Sequence, residues 1–182
     1  GGLKAGEYCA IIGAGPIGLL AGMIAQAYGA HAILLELVQE RLDFAKELGI
    51  EYVINSGEED AAARVSEITG GMMAQQVMEC SGSNAAIRSS LDLVSNAGRI
   101  TLTGWPPRET SIPTDIITRK EIDIRGARTS AGEFEEAIEL IYTKKVDVAK
   151  ILTKTISLDE APETIRDIEK NPGNYMKVVL KV

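Results

Sequence analysis

Gly13-Ala14-Gly15-Pro16-Ile17-Gly18 stands between a short apolar run, Tyr8 to Ile12, and a stretch with helical apolar spacing, Pro16 to Tyr28. Glycines at this spacing, directly after a strand and opening a helix, have distinct tasks. Gly13 makes the tight turn, Gly15 lets backbone amides approach a pyrophosphate, and Gly18 lets the helix pack against the strand. The anion then lies on the helix N-terminus, where free N–H groups and the helix dipole both favour negative charge. Eighteen residues beyond Gly18 stands Glu36, at the end of the next apolar run. A carboxylate there accepts hydrogen bonds from the adenosine ribose hydroxyls and repels a 2′-phosphate, which favours NAD over NADP. Arg41, five residues further on, is able to pair with a 2′-phosphate. Beside Glu36 it reads as an adenine-side contact or, equally, as a helix-surface residue.

In open parallel sheets ligands lie over the carboxyl ends of the strands, where the strand order reverses. Two further strand ends therefore matter, Cys80-Ser81-Gly82 and Thr103-Gly104-Trp105, whose small residues let backbone meet ribose and nicotinamide. Catalytic and metal-binding groups are not evident. The single histidine, His31, falls at the start of its strand, remote from the expected cofactor. Cys9, Cys80 and His31 lack the close spacing of a metal site. Tyr142 and Lys145 are three apart, not four, and the glycine pattern is not TGxxxGxG, which excludes the Tyr–Lys arrangement of short-chain reductases.

The elements that must hold these residues follow from hydrophobic period. After Pro16 to Tyr28, strand and helix alternate: His31 to Glu36 and Gln39 to Leu48, Glu51 to Asn55 and Glu58 to Ile68, Gln75 to Cys80 and Asn84 to Ser95, then strand Gly98 to Gly104. Five strands separated by helices predict a parallel sheet with right-handed crossovers. Arg108 to Thr114 is too polar and proline-rich for a central strand and reads as a loop or an edge strand. A helical turn at Ile116 to Lys120 and a sixth strand at Ile122 to Gly126 complete a doubly wound α/β sheet of the Rossmann kind. An amphipathic helix follows at Glu133 to Lys144, with Phe134, Ala137, Ile138 and Ile141 on one face. Strand Ile151 to Leu158, helix Asp159 to Glu169 and strand Lys177 to Val182 close the chain. Residues 1–128 thus form the cofactor domain, and 129–182 are too few for an independent domain and too many for a tail.

The totals narrow the class. The 182 residues carry a net charge of −7, with 19 basic residues mixed among 26 acidic ones, which speaks against nucleic acid. The 45% hydrophobic and 4% aromatic shares fit a core of Ile, Leu, Val and Ala. No apolar run is long enough for a membrane span, so no membrane partner is expected. Two cysteines imply no disulfide framework, and Gly1-Gly2-Leu3-Lys4 lacks the basic and apolar regions of a signal peptide. A reducing, cytoplasmic compartment is expected. The chain opens only a few residues before its first strand, and a targeting segment upstream of Gly1 is compatible with this reading.

Ala10 to Leu19, Arg41 to Gly49, Glu79 to Gly82, Glu121 to Gly126 and Asp147 to Lys154 together resemble the C-terminal half of the zinc-dependent medium-chain alcohol dehydrogenases, in the sorbitol (polyol) branch, with threonine dehydrogenases close. The resemblance runs over nearly the whole chain. It implies that residues from about 129 onward return to complete an N-terminal catalytic domain that this chain lacks, and that the zinc ligands and proton relay belong to that domain. It assigns Ile17 to backbone contact with pyrophosphate, Glu36 to the adenosine ribose, Arg41 to the adenine side, and Thr103, Gly104 and Trp105 to the nicotinamide. The family usually has Asp at the position of Glu36. Where polyol members carry an aromatic residue followed by Arg and Tyr, this chain has Ala127-Arg128-Thr129-Ser130, with Arg128, a candidate contact to cofactor or substrate, displaced by one.

The activity so implied is hydride transfer between an alcohol or polyol and NAD, by a full enzyme that binds a small alcohol substrate; this chain alone is expected to be inactive. A homodimer or homotetramer is expected, with sheets joined edge to edge near Thr110 to Pro113. Two other functions fit a bare cofactor site: a stand-alone NAD(H)-sensing regulatory module, and an NADPH-dependent quinone reductase of the same superfamily. Residues 129–182 weigh against the sensor, which calls for a separate output element, and Glu36 weighs against the NADPH enzyme.

Overall fold

A computed structural model of the chain describes residues 1–130 and 132–182. Alternation along β1 (Tyr8–Ile12) explains how the sheet is clothed. Ala10 and Ile12 point to one face and Cys9 and Ile11 to the other, and all four are buried because both faces are covered. The other strands of this sheet are β2 (His31–Glu36), β3 (Tyr52–Asn55), β4 (Ala74–Glu79), β5 (Val94–Leu102) and β6 (Asp123–Gly126). They form one six-stranded sheet in the order β3-β2-β1-β4-β5-β6, every pair parallel, and the order reverses between β1 and β4. The doubly wound expectation is borne out.

Helices α1 (Pro16–Ala27) and α2 (Gln39–Glu47) pack on the Cys9 face, where Leu19, Ala25 and Ala45 meet Ile11 and Leu34. Helices α3 (Ala61–Ile68), α4 (Asn84–Leu93) and α5 (Thr114–Lys120) lie on the opposite face, where Val65 and Leu91 meet Ile33, Val77 and Ile100. That split is what right-handed crossovers require once the winding direction reverses. Beyond β1, the Cys9 face turns polar: Gln76 Nε2 donates to Thr101 Oγ1 at 2.7 Å, and Arg99 Nε to Asp123 Oδ2 at 3.0 Å.

Several element ends differ from the sequence reading by one to three residues, and the start of β5 differs by four. Helix α4 ends at Leu93, not Ser95, and β5 begins at Val94, not Gly98. Ala97 takes a left-handed φ of 52° and the register with β4 shifts at Ala74/Gln76, so an irregularity occupies what the pattern marks as a gap. Lys120 Nζ donates to the carbonyls of Leu91 and Val94 at 2.8 and 2.9 Å, satisfying acceptors that the end of α4 leaves open. The segment from Thr110 to Pro113 forms no strand; Asn84 and Arg88 hold it against α4 through Thr110 Oγ1 and the Ser111 carbonyl.

After β6 come α6 (Phe134–Tyr142), β7 (Leu152–Ser157), α7 (Ala161–Lys170) and β8 (Lys177–Lys181), with β7 and β8 paired parallel as a separate two-stranded sheet. The apolar face of α6 is exposed at Phe134, Ile138 and Ile141, and Leu140 is the buried residue of the helix. This part is nonetheless tied to the sheet domain, since Ile151 is buried among the Cys9-face core and the Tyr28 hydroxyl hydrogen-bonds Glu136. No helix is long and apolar enough to cross a membrane.

Candidate nucleotide cleft

The turn after β1 is built by what its glycines exclude. Gly13 has φ 105°, reachable without strain only by glycine. A Cβ on Gly18 would lie 1.8 Å from the Gly13 carbonyl oxygen, so α1 seats on the turn only if that side chain is hydrogen. A Cβ on Gly15 would meet nothing within 4 Å, because it would project into an open cleft. Gly15 is the N-cap of α1 and no side chain caps the helix. The first-turn amides, Ile17 and Gly18 among them, are thus left for a ligand or solvent.

The cleft has a volume of about 590 Å³ and lies over the carboxyl ends of β1, β2, β3 and β4, where the strand order reverses. Gly13, Gly15, Glu36, Arg41, Cys80 and Ser81 line it. Pro16, Ile17 and Gly18 form the start of α1 beside it. Gly82, Thr103, Gly104 and Trp105 belong to the next two strand ends, and Arg128 follows β6. Ser56 also lines the cleft and was not picked out from the sequence. The rule that marks Glu36 finds it too, since it is the residue that follows β3.

Glu36 is side-chain buried to all but 11% and tightly held. Its Oε2 accepts from the Ala14 amide at 2.9 Å, and its Oε1 from the amides of Leu37 and Val38 at 2.7 and 3.3 Å. Arg41 Nη1 stands 3.6 Å from Oε2, and Arg41 Nε is buried with no hydrogen-bond partner. A buried guanidinium donor without an acceptor is costly.

At the far end, the backbone oxygen of Glu79 accepts from the amides of Thr103 and Gly104 at 2.9 and 3.1 Å and from Thr103 Oγ1 at 2.8 Å. Trp105 is 74% exposed, and the Arg128 guanidinium lies over its ring at 4.5 Å. Those two residues therefore act as one stacked unit. Burial pushes the Cys80 thiol up to about 11, the hydrogen bond from Thr103 only partly opposing it, which disfavours the thiolate at neutral pH. Burial raises Cys9 further, to about 12.

His31 lies at the opposite end of β2, with Nδ1 2.8 Å from Glu51 and its ring stacked on Tyr8. Among the described residues no group of three His, Cys, Asp or Glu side chains is placed to hold a metal ion. Zinc therefore has no fitting site within them.

A parallel sheet of this order, with a glycine turn at its switch point, defines the Rossmann class. The profile of the zinc-binding dehydrogenases matches residues 16–143, and the chain belongs to that family. It is 50% identical over 176 residues to an uncharacterized zinc-type alcohol dehydrogenase-like protein of Haemophilus influenzae, covering 97% of this chain and 52% of that one. It is 34% identical to a sorbitol dehydrogenase of Halalkalibacterium halodurans, over 98% of this chain and 52% of that protein. Its fold superposes on the 2R,3R-butanediol dehydrogenase of Bacillus subtilis with a TM-score of 0.90 at 27% identity, covering 100% of this chain and 52% of that one. The chain thus spans about half the length of the curated relatives it matches.

Proposed function

We propose that the chain is the NAD-binding half of a medium-chain alcohol or polyol dehydrogenase, which moves a hydride between a secondary alcohol and NAD. The observation that carries the reading is Glu36 at the cleft wall, hydrogen-bonded to the glycine turn itself. A carboxylate offers about four lone-pair sites, and Oε2 keeps capacity for ribose hydroxyls beyond its bond to Ala14. The same charge opposes a 2′-phosphate.

In this reading the α1 amides receive the pyrophosphate, with Gly15 leaving the space for it. Arg41 lies along the adenine side, and the strand ends at Cys80 to Gly82 and Thr103 to Trp105 flank the nicotinamide ribose. When bound, the nicotinamide supplies the hydride chemistry. The residues of this chain orient it and exclude water from one side; the zinc and the proton relay belong to the other half of the protein.

Residues 129–182 are proposed to complete that other half. Phe134, Ile138, Ile141, Leu158, Ile165 and Leu180 are exposed on the described surface, which supports this reading. A homodimer or homotetramer, with a small alcohol as substrate and a cytoplasmic location, goes with this reading.

Calorimetric titration of the chain with NAD and with NADP is the test. Binding of NAD in the micromolar to millimolar range, with NADP much weaker, supports the proposal. The unpartnered Nε of Arg41 favours one second reading, in which Arg41 pairs with a 2′-phosphate and NADP is preferred. Tighter binding of NADP would establish it in place of the first.

A further inference from the structure

Glu79 is the last residue of β4 and is fully buried, and every side-chain hydrogen bond it makes is one it accepts. Among the described residues it forms no ion pair within 4.0 Å. Its partners are instead the amide of Ser81 at 2.8 Å, the Ser81 hydroxyl, and the amide of Gly82 at 3.0 and 3.1 Å from its two oxygens. A buried carboxyl group is costly unless aimed donors replace its water.

The same residue reaches the neighbouring strand end. Its backbone oxygen holds the amides of Thr103 and Gly104, and a Cβ on Gly104 would stand 2.6 Å from Glu79 Oε2 and 2.1 Å from the Gly82 nitrogen. A Cβ on Gly82 would in turn meet the Trp105 carbonyl oxygen at 2.7 Å. Two glycines with no room for side chains and one buried carboxyl group therefore lock the segment after β4 to the segment after β5. Glu36 takes no part in this lock, and the glycine turn meets it only by packing, a Cβ on Gly13 standing 3.2 Å from the Ser81 nitrogen.

We infer that Glu79 is a positioning residue for the nicotinamide end of the cleft, acting through Ser81, Gly82 and Gly104 and touching no ligand itself. The inference rests on the nucleotide-binding reading above. Substituting Gln keeps the volume and one acceptor, but places an N–H₂ where Gly82 N–H now points, so the lock loosens while the core stays filled.

The test compares NADH with ADP-ribose, which lacks the nicotinamide, on the 182-residue chain and on Glu79→Gln. The expected result is an ADP-ribose affinity within about twofold of wild type and an NADH affinity about tenfold weaker, with loss of the fluorescence change of bound NADH. Equal weakening of both ligands, or of neither, overturns the inference. Wild-type chain that binds neither ligand overturns the nucleotide reading and this one with it. Should Glu79→Gln not fold, amide exchange on wild-type chain decides. Protection of Ser81, Gly82 and Gly104 without nucleotide upholds the lock, and exchange at open-loop rates removes it.

Discussion

The Glu36 carboxylate accepts a hydrogen bond from the amide of Ala14 at 2.9 Å, so the acidic end of β2 and the glycine turn after β1 are one hydrogen-bonded unit. Under the proposed function, cofactor preference and turn geometry are therefore coupled. Glu36→Ala removes the acceptor of three amides and is expected to lower stability by about 1–3 kcal/mol. Calorimetry on the same variant should show NAD bound more weakly and the preference over NADP gone. Glu36→Asp, which keeps the charge, should retain the preference. NAD selectivity unchanged in Glu36→Ala would remove Glu36 from its assigned role.

Gly15 and Gly18 should part company. Gly18→Ala forces a Cβ to within 1.8 Å of the Gly13 oxygen, and the backbone must shift. A destabilisation of about 3 kcal/mol is expected, seen as a fall in Tm of roughly 6–12 °C. Gly15→Ala has open space for its methyl group and should stay within about 0.5 kcal/mol of wild type. It should nonetheless lose about tenfold in NAD affinity, because the methyl group occupies the approach to the α1 amides. Thermal melts and titrations on the two variants check both halves.

Lys120 spans from α5 to the end of α4 through two carbonyl acceptors. Lys120→Met keeps the aliphatic stem and removes the donors. It should cost about 1–2 kcal/mol in urea denaturation with an unchanged m value.

Cys9 gives a pH dependence of defined sign. Burial raises its thiol from 9.0 to about 12, so above pH 9 the unfolded chain releases a proton that the folded chain keeps. The contribution is full below pH 9 and is lost as pH rises toward 12, with a slope of about 1.4 kcal/mol per pH unit between. The stability difference between wild type and Cys9→Ala should shrink by about 2 kcal/mol from pH 8 to pH 10.5. A difference that stays constant over that range would show that the thiol does not resist ionisation.

The sheet, its order of helices and the glycine turn were legible because each rests on a local rule. Apolar runs of strand length end at glycines, helical spacing follows, and GxGxxG has one geometry that satisfies all three glycines. Glu36 was legible by position alone. Long-range contact hid the rest. Nothing in the sequence marks Glu79 as buried, because its partners include strand ends brought together only by the parallel register of β4 and β5. The stacking of Arg128 on Trp105 joins segments after different strands, and hydrophobic period carries no trace of it. The start of β5 is hidden because Ala97, a non-glycine residue, adopts a left-handed φ that favours glycine. On α6 the periodicity located an apolar stripe correctly, yet Leu140 and not that stripe faces the core.

The two-stranded sheet of β7 and β8 sets a gradient across the molecule. Six mutually supporting strands with helices on both faces open only with the whole domain, whereas a parallel pair with one crossover helix is marginal in water. Deuterium should therefore enter residues 152–181 orders of magnitude faster than the amides of β1 and β4, except beside the anchor at Ile151. The chain would then behave as a rigid frame carrying a soft terminal unit.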